Sequence, residues 1–164
     1  MKVISGGQTG CDQAGIFAGR RLGLQTGGMA PKGWRTEAGP APWLADYGLV
    51  ESFSSGYQWR TRQNVLAADA TLIIGDVSSP GSRMTLDAAA AGRLPRLTFR
   101  AIGPDFAQFG KEKSRSTLLT WLRSVNPRVI NIAGNRESVN PGIQAACEEF
   151  LVEILGIHLG LSSY

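Results

Sequence analysis

The chain has 164 residues, 43% of them apolar and 18% charged, which suits one soluble globular domain over 1–164 with a sizeable core. Seventeen Lys and Arg against 13 Asp and Glu give a net charge of +4, compatible with an anionic small molecule but too slight and scattered to argue for nucleic acid. Cys11, Cys147 and His158 show no metal-ligand spacing, which argues against a protein-held zinc, and no apolar run approaches the about 20 residues of a membrane span.

The opening "MKVISGG" reads as a strand over 2–7 rather than a secretory signal, and two isolated cysteines fit a reducing cytoplasm, so a cytoplasmic location is expected. "CDQAGIFAGRRLG" (11–23) predicts a helix with Ile16, Phe17 and Leu22 inward, and "LQTGGMA" (24–30) a poorer strand. A long loop rich in Pro, Gly and Trp follows over 31–48; its tryptophans argue against disorder, and its length argues for a function. "LVES" (49–52) reads as a short edge strand, 57–70 as a helix, and "TLIIGDV" (71–77) as the clearest strand. The Ala-rich 82–94 predicts a helix, 96–102 a strand, 111–125 a helix, 128–134 the last strand, and 141–157 a closing helix with Pro141 in its first turn. Strands alternating with helices predict a Rossmann-like α/β three-layer sandwich, a mostly parallel sheet of five main strands with helices on both faces.

Ligands of such sheets sit outside the carboxyl ends of the strands. Three strand-end loops carry the same chemistry: "SGGQTG" after the first strand, "SSPGSRMT" after the clearest one, and "NIAGNRES" after the last. Gly6, Gly7 and Gly10 let backbone approach a ligand, and the N–H groups of a helix start favour an anion, so "SGGQTG" has the make-up of half a phosphate cradle. The spacing G-G-x-x-G is neither the dinucleotide fingerprint nor a Walker motif. A tight strand-to-helix turn with Thr9 as cap is the plain alternative.

Asp12 either complements the helix dipole or hydrogen-bonds a sugar hydroxyl or heterocycle, since an acid works against phosphate. Lys32 and Arg35 sit on a charged loop, where solvation is the plain reading; Arg60 and Asn64 share a helix face as i,i+4 neighbours, where solvation is again the plain reading. Arg136 can grip a phosphate bidentately, or pair with Glu137 or Asp12; Glu137 and Ser138 are both placed to cap the last helix, with Ser138 as the plain N-cap. Cys11 lies at a helix start without a histidine nearby, which disfavours a catalytic thiol.

Together, "SGGQTGCDQAG", "GGMAPKGWRTEAGPAP", "YQWRTRQNVLAADATLII", "GS" followed by "MT", and "VINIAGNRESVNPGI" resemble the family named putative molybdenum cofactor carrier proteins, within the wider Lonely Guy/Smf superfamily, over about residues 3–155. The resemblance implies a small cytoplasmic homo-oligomer that binds a phosphorylated pterin-type cofactor (molybdopterin) or a nucleotide, with molybdoenzymes or cofactor-synthesis proteins as partners. It implies a ligand- or phosphate-binding set drawn from each block: Gly6, Gly7, Gln8, Thr9, Gly10 and Asp12 from the first; Lys32, Gly33, Arg35 and Thr36 from the second; Arg60 and Asn64 from the third; Gly81, Ser82 and Thr85 from the fourth; Gly134, Asn135, Arg136, Glu137 and Ser138 from the last. Two blocks depart from the family. Asn135 stands where Pro is usual, and "SSPGSRMT" replaces a Gly-Gly-Thr loop. The superfamily's phosphoribohydrolases resemble P-G-G-x-G-T-x-x-E there. Ala88 stands in place of the acid, and Asp87 is one residue early, about 100° around a helix. The expectation is therefore a non-enzymatic carrier or sensor, with N-glycosidic cleavage of a nucleotide as the alternative.

Overall fold

The computed structural model describes residues 1–101 and 106–161. The chain runs through β1 (Lys2–Ser5), α1 (Cys11–Arg21), β2 (Gln25–Ala30), a small hairpin of β3 (Arg35–Thr36) and β4 (Gly39–Pro40), a 3-10 segment Pro42–Tyr47, and β5 (Leu49–Glu51). It continues through α2 (Tyr57–Leu66), β6 (Ala70–Ile74), α3 (Pro80–Ala91), β7 (Arg96–Phe99), α4 (Glu112–Val125), β8 (Val129–Gly134) and α5 (Ile143–Leu159). Six strands form one parallel sheet in the order β5-β2-β1-β8-β6-β7: the five main strands expected and the short edge strand, whose three residues pair with Gly28, Met29 and Ala30 of β2.

The inner strands explain the parallel pairing. Every residue of β6 is buried, and Val3, Ile4, Ile130 and Ile132 are at most 4% exposed. Strands covered on both faces need continuous apolar runs, and these sequences supply them. α1, α4 and α5 pack together over one face; α2 and α3 pack together over the other. α1 lies close on the sheet because Gly15 and Gly19 carry no side chain there: a Cβ at Gly15 would stand 2.6 Å from Ile132 Cβ, and one at Gly19 2.9 Å from Thr26 Cγ2. Between α4, α5 and the sheet, Phe99, Phe109 and Phe150 stack at 4.5–5.5 Å between ring centres. The loop over 31–48 is folded, with Ala41 and Leu44 buried with Ile16 and Leu49, and Phe17, Trp34 and Tyr47 packed around them.

Several boundaries move for local reasons. β6 stops at Ile74, before Gly75, whose φ of +110° turns the chain out of the sheet. α3 begins at Pro80, with Pro in its first turn and Ser79 as its cap. α5 begins at Ile143, so Pro141 lies ahead of the helix and Gly142, at φ 86°, is the cap. The strand expected over 96–102 runs Arg96–Phe99, and Ile102 lies outside the described residues. No helix among the described residues is long and apolar enough to cross a membrane.

The topology places the crevice. From β1 the chain steps outward to β2 and β5, crosses to β6 and β7 on the other side, and returns to insert β8 between β1 and β6. The direction of stepping reverses beside β1 and β8, where open α/β sheets bind ligands.

Candidate functional site

The loops after β1, β6 and β8 meet at this reversal, and Asn135 joins them. Its Oδ1 accepts from Asp76 N at 2.6 Å, its Nδ2 donates to Asp76 O at 3.1 Å and Ser79 Oγ at 3.2 Å, and its carbonyl accepts from Cys11 N at 3.0 Å. The residue that departs from the family pattern thus ties three loops. Gly10 permits the approach: its φ is +80°, and a Cβ there would lie 2.2 Å from Asn135 O. Gly10→Ala is expected to cost at least about 1–3 kcal/mol in a urea melt, since a positive φ alone carries strain of that order. An unchanged midpoint would remove Gly10 from this joint.

The amides expected to face an anion already have acceptors in the protein. Gly7 N donates to Ser5 Oγ at 3.2 Å, Gln8 N to Asp12 Oδ2 at 3.3 Å, Thr9 N to Gln8 Oε1 at 3.0 Å, and Gly10 N to Gln144 Oε1 at 2.8 Å. Thr9 is not the cap of α1; Gly10 is, without a side-chain hydrogen bond. Gly7 has no room for a side chain: at φ +73°, its Cβ would meet Leu44 Cδ1 at 2.7 Å and Leu49 Cδ2 at 2.9 Å. Gly7→Val is therefore expected to lower the melting temperature by unpacking Leu44 and Leu49, and not to spare the fold. A folded variant with wild-type melting would contradict that geometry.

The other two helix starts are also provided for. Glu137, not Ser138, serves α5: its carboxylate accepts from Gly142 N at 2.5 Å and Gln144 N at 3.0 Å. At α3, Ser79 Oγ accepts from Ser82 N at 3.4 Å and donates to Ser82 Oγ at 3.0 Å, and Thr85 Oγ1 donates to Gly81 O at 3.1 Å. Gly81 itself is exposed, and a Cβ there would meet nothing within 4 Å. Asp87 is exposed on α3.

Side chains of α2 complete the crevice. Arg60 and Asn64 are buried, so the solvated reading of that face does not hold. Asn64 ties β1 to β2: its Nδ2 donates to Ser5 O at 3.1 Å and Met29 O at 3.0 Å, and its Oδ1 accepts from Met29 N at 2.8 Å. The Arg60 guanidinium lies directly on Gly6, where a Cβ would fall 1.4 Å from Nη1, and pairs with Asp12 Oδ2 at 3.1 Å. Asp12 is thus neither a free first-turn acid nor an exposed ligand contact. Burial pushes its carboxyl above the usual range, and the Arg60 guanidinium offsets that only in part. Arg136 forms no ion pair among the described residues; its guanidinium lies over the Tyr57 ring at 5.0 Å, with Arg60 near the same ring at 5.6 Å. Two donors in this cluster are buried without a hydrogen-bond partner, Arg60 Nε and Gln8 Nε2.

The hairpin of the long loop reaches the same place through Glu37. Its carboxylate accepts from Thr9 Oγ1, Ser138 Oγ and Ser138 N, the last at 3.0 Å, while Glu37 N donates to Gln8 Oε1 at 2.9 Å. Burial alone would raise the Glu37 pKa, but hydrogen bonds from Ser138 and Thr9 and the charge of Arg136 outweigh it and hold the carboxyl below its usual range. Thr36 is spent on the hairpin turn, donating to Gly39 O at 2.6 Å, and Gly33 N donates to Glu51. Lys32 and Arg35 are exposed on this loop. Gly134 stands where a Cβ would lie 2.0 Å from Ile74 O, which sets β8 against β6. Cys11 is fully buried, its thiol donating to Ile74 O at 3.4 Å. Among the described residues no group of three or more His, Cys, Asp or Glu could hold a metal ion.

Three residues of the site lack a sequence signal that would single them out. Glu37 looks like any charge on a loop. Gln144 lies inside α5, and Tyr57 opens α2 with nothing to set it apart from the neighbouring aromatics.

No curated protein matches the chain. A crystal structure from Syntrophus aciditrophicus SB, described as a "Putative molybdenum carrier protein", superposes with a TM-score of 0.82 at 34% identity, covering 93% of this chain and 92% of that one. The model of the circularly permutated YpsA SLOG family matches residues 3–155, nearly the whole described fold with all three strand-end loops. On that match and that identity, the chain belongs to the circularly permutated YpsA SLOG family.

Proposed function

We propose that the protein is a non-enzymatic binding or carrier protein for a phosphorylated small molecule, with molybdenum cofactor or a nucleotide as the cargo. The observation that carries this reading is the pair of buried donors without partners, Arg60 Nε and Gln8 Nε2, beside the Arg136 guanidinium at the strand-order reversal. A buried donor left unpaired costs about 1–3 kcal/mol, so such a pair persists where a ligand or water supplies the acceptor. The donors and cations suit an anionic group with several acceptor oxygens. The similarity to a protein described as a "Putative molybdenum carrier protein" supports molybdenum cofactor as the cargo. A cytoplasmic homo-oligomer passing that cargo to molybdoenzymes or cofactor-synthesis proteins fits the same reading.

Native mass spectrometry of the purified protein tests the cargo, and a phosphate-bearing small molecule is the expected adduct. Gln8→Glu tests the seat. The substitution keeps the oxygen that accepts from Thr9 N and Glu37 N but replaces the free donor with a negative oxygen. Affinity for inorganic pyrophosphate is expected to fall by at least about tenfold, or 1.4 kcal/mol. An unchanged affinity in a folded variant would sink the reading.

A further inference from the structure

The donors that hold Glu37 form a set suited to an oxyanion. One carboxylate receives the Thr9 hydroxyl, the Ser138 hydroxyl and the Ser138 N–H, and the Arg136 charge acts on it as well. Thr9 and Ser138 belong to two different strand-end loops, so their donors converge from both sides of the crevice on one point. Glu137 N donates to Thr9 Oγ1 at 3.4 Å, which helps aim that hydroxyl. A carboxylate and a phosphate present the same kind of acceptor to such donors.

The segment bearing Glu37 is built to leave. Arg35, Glu37, Ala38 and Pro40 are exposed, and a Cβ at Gly39 would meet nothing within 4 Å. The hairpin is anchored at its base, where Ala41 N donates to Trp34 O at 2.9 Å and both residues pack with Leu44 and Leu49. Its tip is held to the site by the Glu37 contacts alone among the hydrogen bonds described. Withdrawing the tip exchanges hydrogen bonds with water, and the tip itself, residues 35–40, carries no large apolar side chain.

Resting on the phosphorylated-ligand reading above, we infer that Glu37 is an internal stand-in for the ligand's oxyanion, making the β3–β4 hairpin a latch that the ligand must displace. The Thr9 and Ser138 donors are satisfied by Glu37 in the closed form and by the ligand in the open one. The ligand's affinity is then reduced by the fraction of molecules in the open form. Repulsion between Glu37 and an incoming anion adds to that reduction.

The test is calorimetric titration of wild type, Glu37→Gln and Glu37→Ala with inorganic pyrophosphate at fixed ionic strength. Glu51→Gln is the control, since it removes one negative charge from β5, where Glu51 accepts from Gly33 N, away from Thr9 and Ser138. Glu37→Ala is expected to bind about tenfold tighter than wild type, as for a latch closed about nine-tenths of the time. Glu37→Gln should lie between them and Glu51→Gln should match wild type. In wild type, saturating pyrophosphate should also speed hydrogen exchange at the Glu37 amide, now bonded to Gln8. Equal or weaker binding by Glu37→Ala, with wild type binding, overturns the latch and leaves the anion seat standing. An equal gain in Glu51→Gln assigns the effect to net charge and overturns the latch as well. If no variant binds pyrophosphate, both the seat and the latch fall.

Discussion

Arg60→Met is expected to cost about 3–5 kcal/mol of folding stability, the range for stripping the partner from a buried charge. The pair is deep enough for that range: the Arg60 and Asp12 side chains are 11% and 6% exposed. Methionine replaces the aliphatic stem, so the loss reports mainly on the orphaned carboxylate. The size of the loss should depend on pH. Burial already raises the Asp12 pKa with Arg60 present, and removing the cation raises it further. The folded variant then binds more protons than the unfolded chain between the unfolded carboxyl value, about 3.9, and the raised folded value. Its stability is fullest below that window and falls as pH rises through it. Urea melts at pH 4.5 and 7.5 should therefore show a larger gap from wild type at the higher pH. Adding Asp12→Asn, which keeps an oxygen for Gln8 N, should recover most of the loss. A pH-independent gap, or no recovery in the double variant, would mean that the Arg60 stem and not the ion pair is what matters.

Arg136→Ala is expected to weaken pyrophosphate binding by about 1.5–3 kcal/mol, the worth of a hydrogen bond involving a charged group. Arg136 is half-buried and held over Tyr57 at 5.0 Å, free of any carboxylate pairing among the described residues. Its planar fork matches two phosphate oxygens, whereas a lysine offers a point charge, so Arg136→Lys should lose less than alanine but still lose measurably. Melting temperatures separate this from a bracing role. A drop in stability with unchanged pyrophosphate affinity would make Arg136 a brace for the β8–α5 loop. A loss of affinity with melting preserved places it on the ligand.

The strand-end loops were legible in the chain because glycine next to Ser, Thr or Asn after an apolar run is a local signal. The purpose of each glycine was not. Gly7 and Gly10 have positive φ, as a tight turn requires, and their missing side chains make room for Leu44, Leu49 and Asn135. The same holds for the helix starts. Glu137 and Ser138 both looked placed to cap α5; Glu137 takes that role and leaves Ser138 to bind Glu37. Both outcomes depend on neighbours that lie far away in the chain.

What the sequence determined by itself is the class of fold and the edge where chemistry can occur. Apolar runs alternating with amphipathic helices compel a parallel sheet, because such strands must be covered on both faces and parallel connections need helical crossovers. What only the tertiary structure decided is which polar groups are satisfied and which remain open. Asp12 meets Arg60 across 48 residues of chain, and Glu37 meets Ser138 across 101. The second distance closes because β8, late in the chain, inserts beside β1, and the first because α2 packs on β2, the other neighbour of β1. Helix periodicity, capping and turn preferences act over a few residues and are written locally. The partners of Asp12, Glu37 and Asn135 follow from strand order and register, which settle only when the whole sheet is assembled.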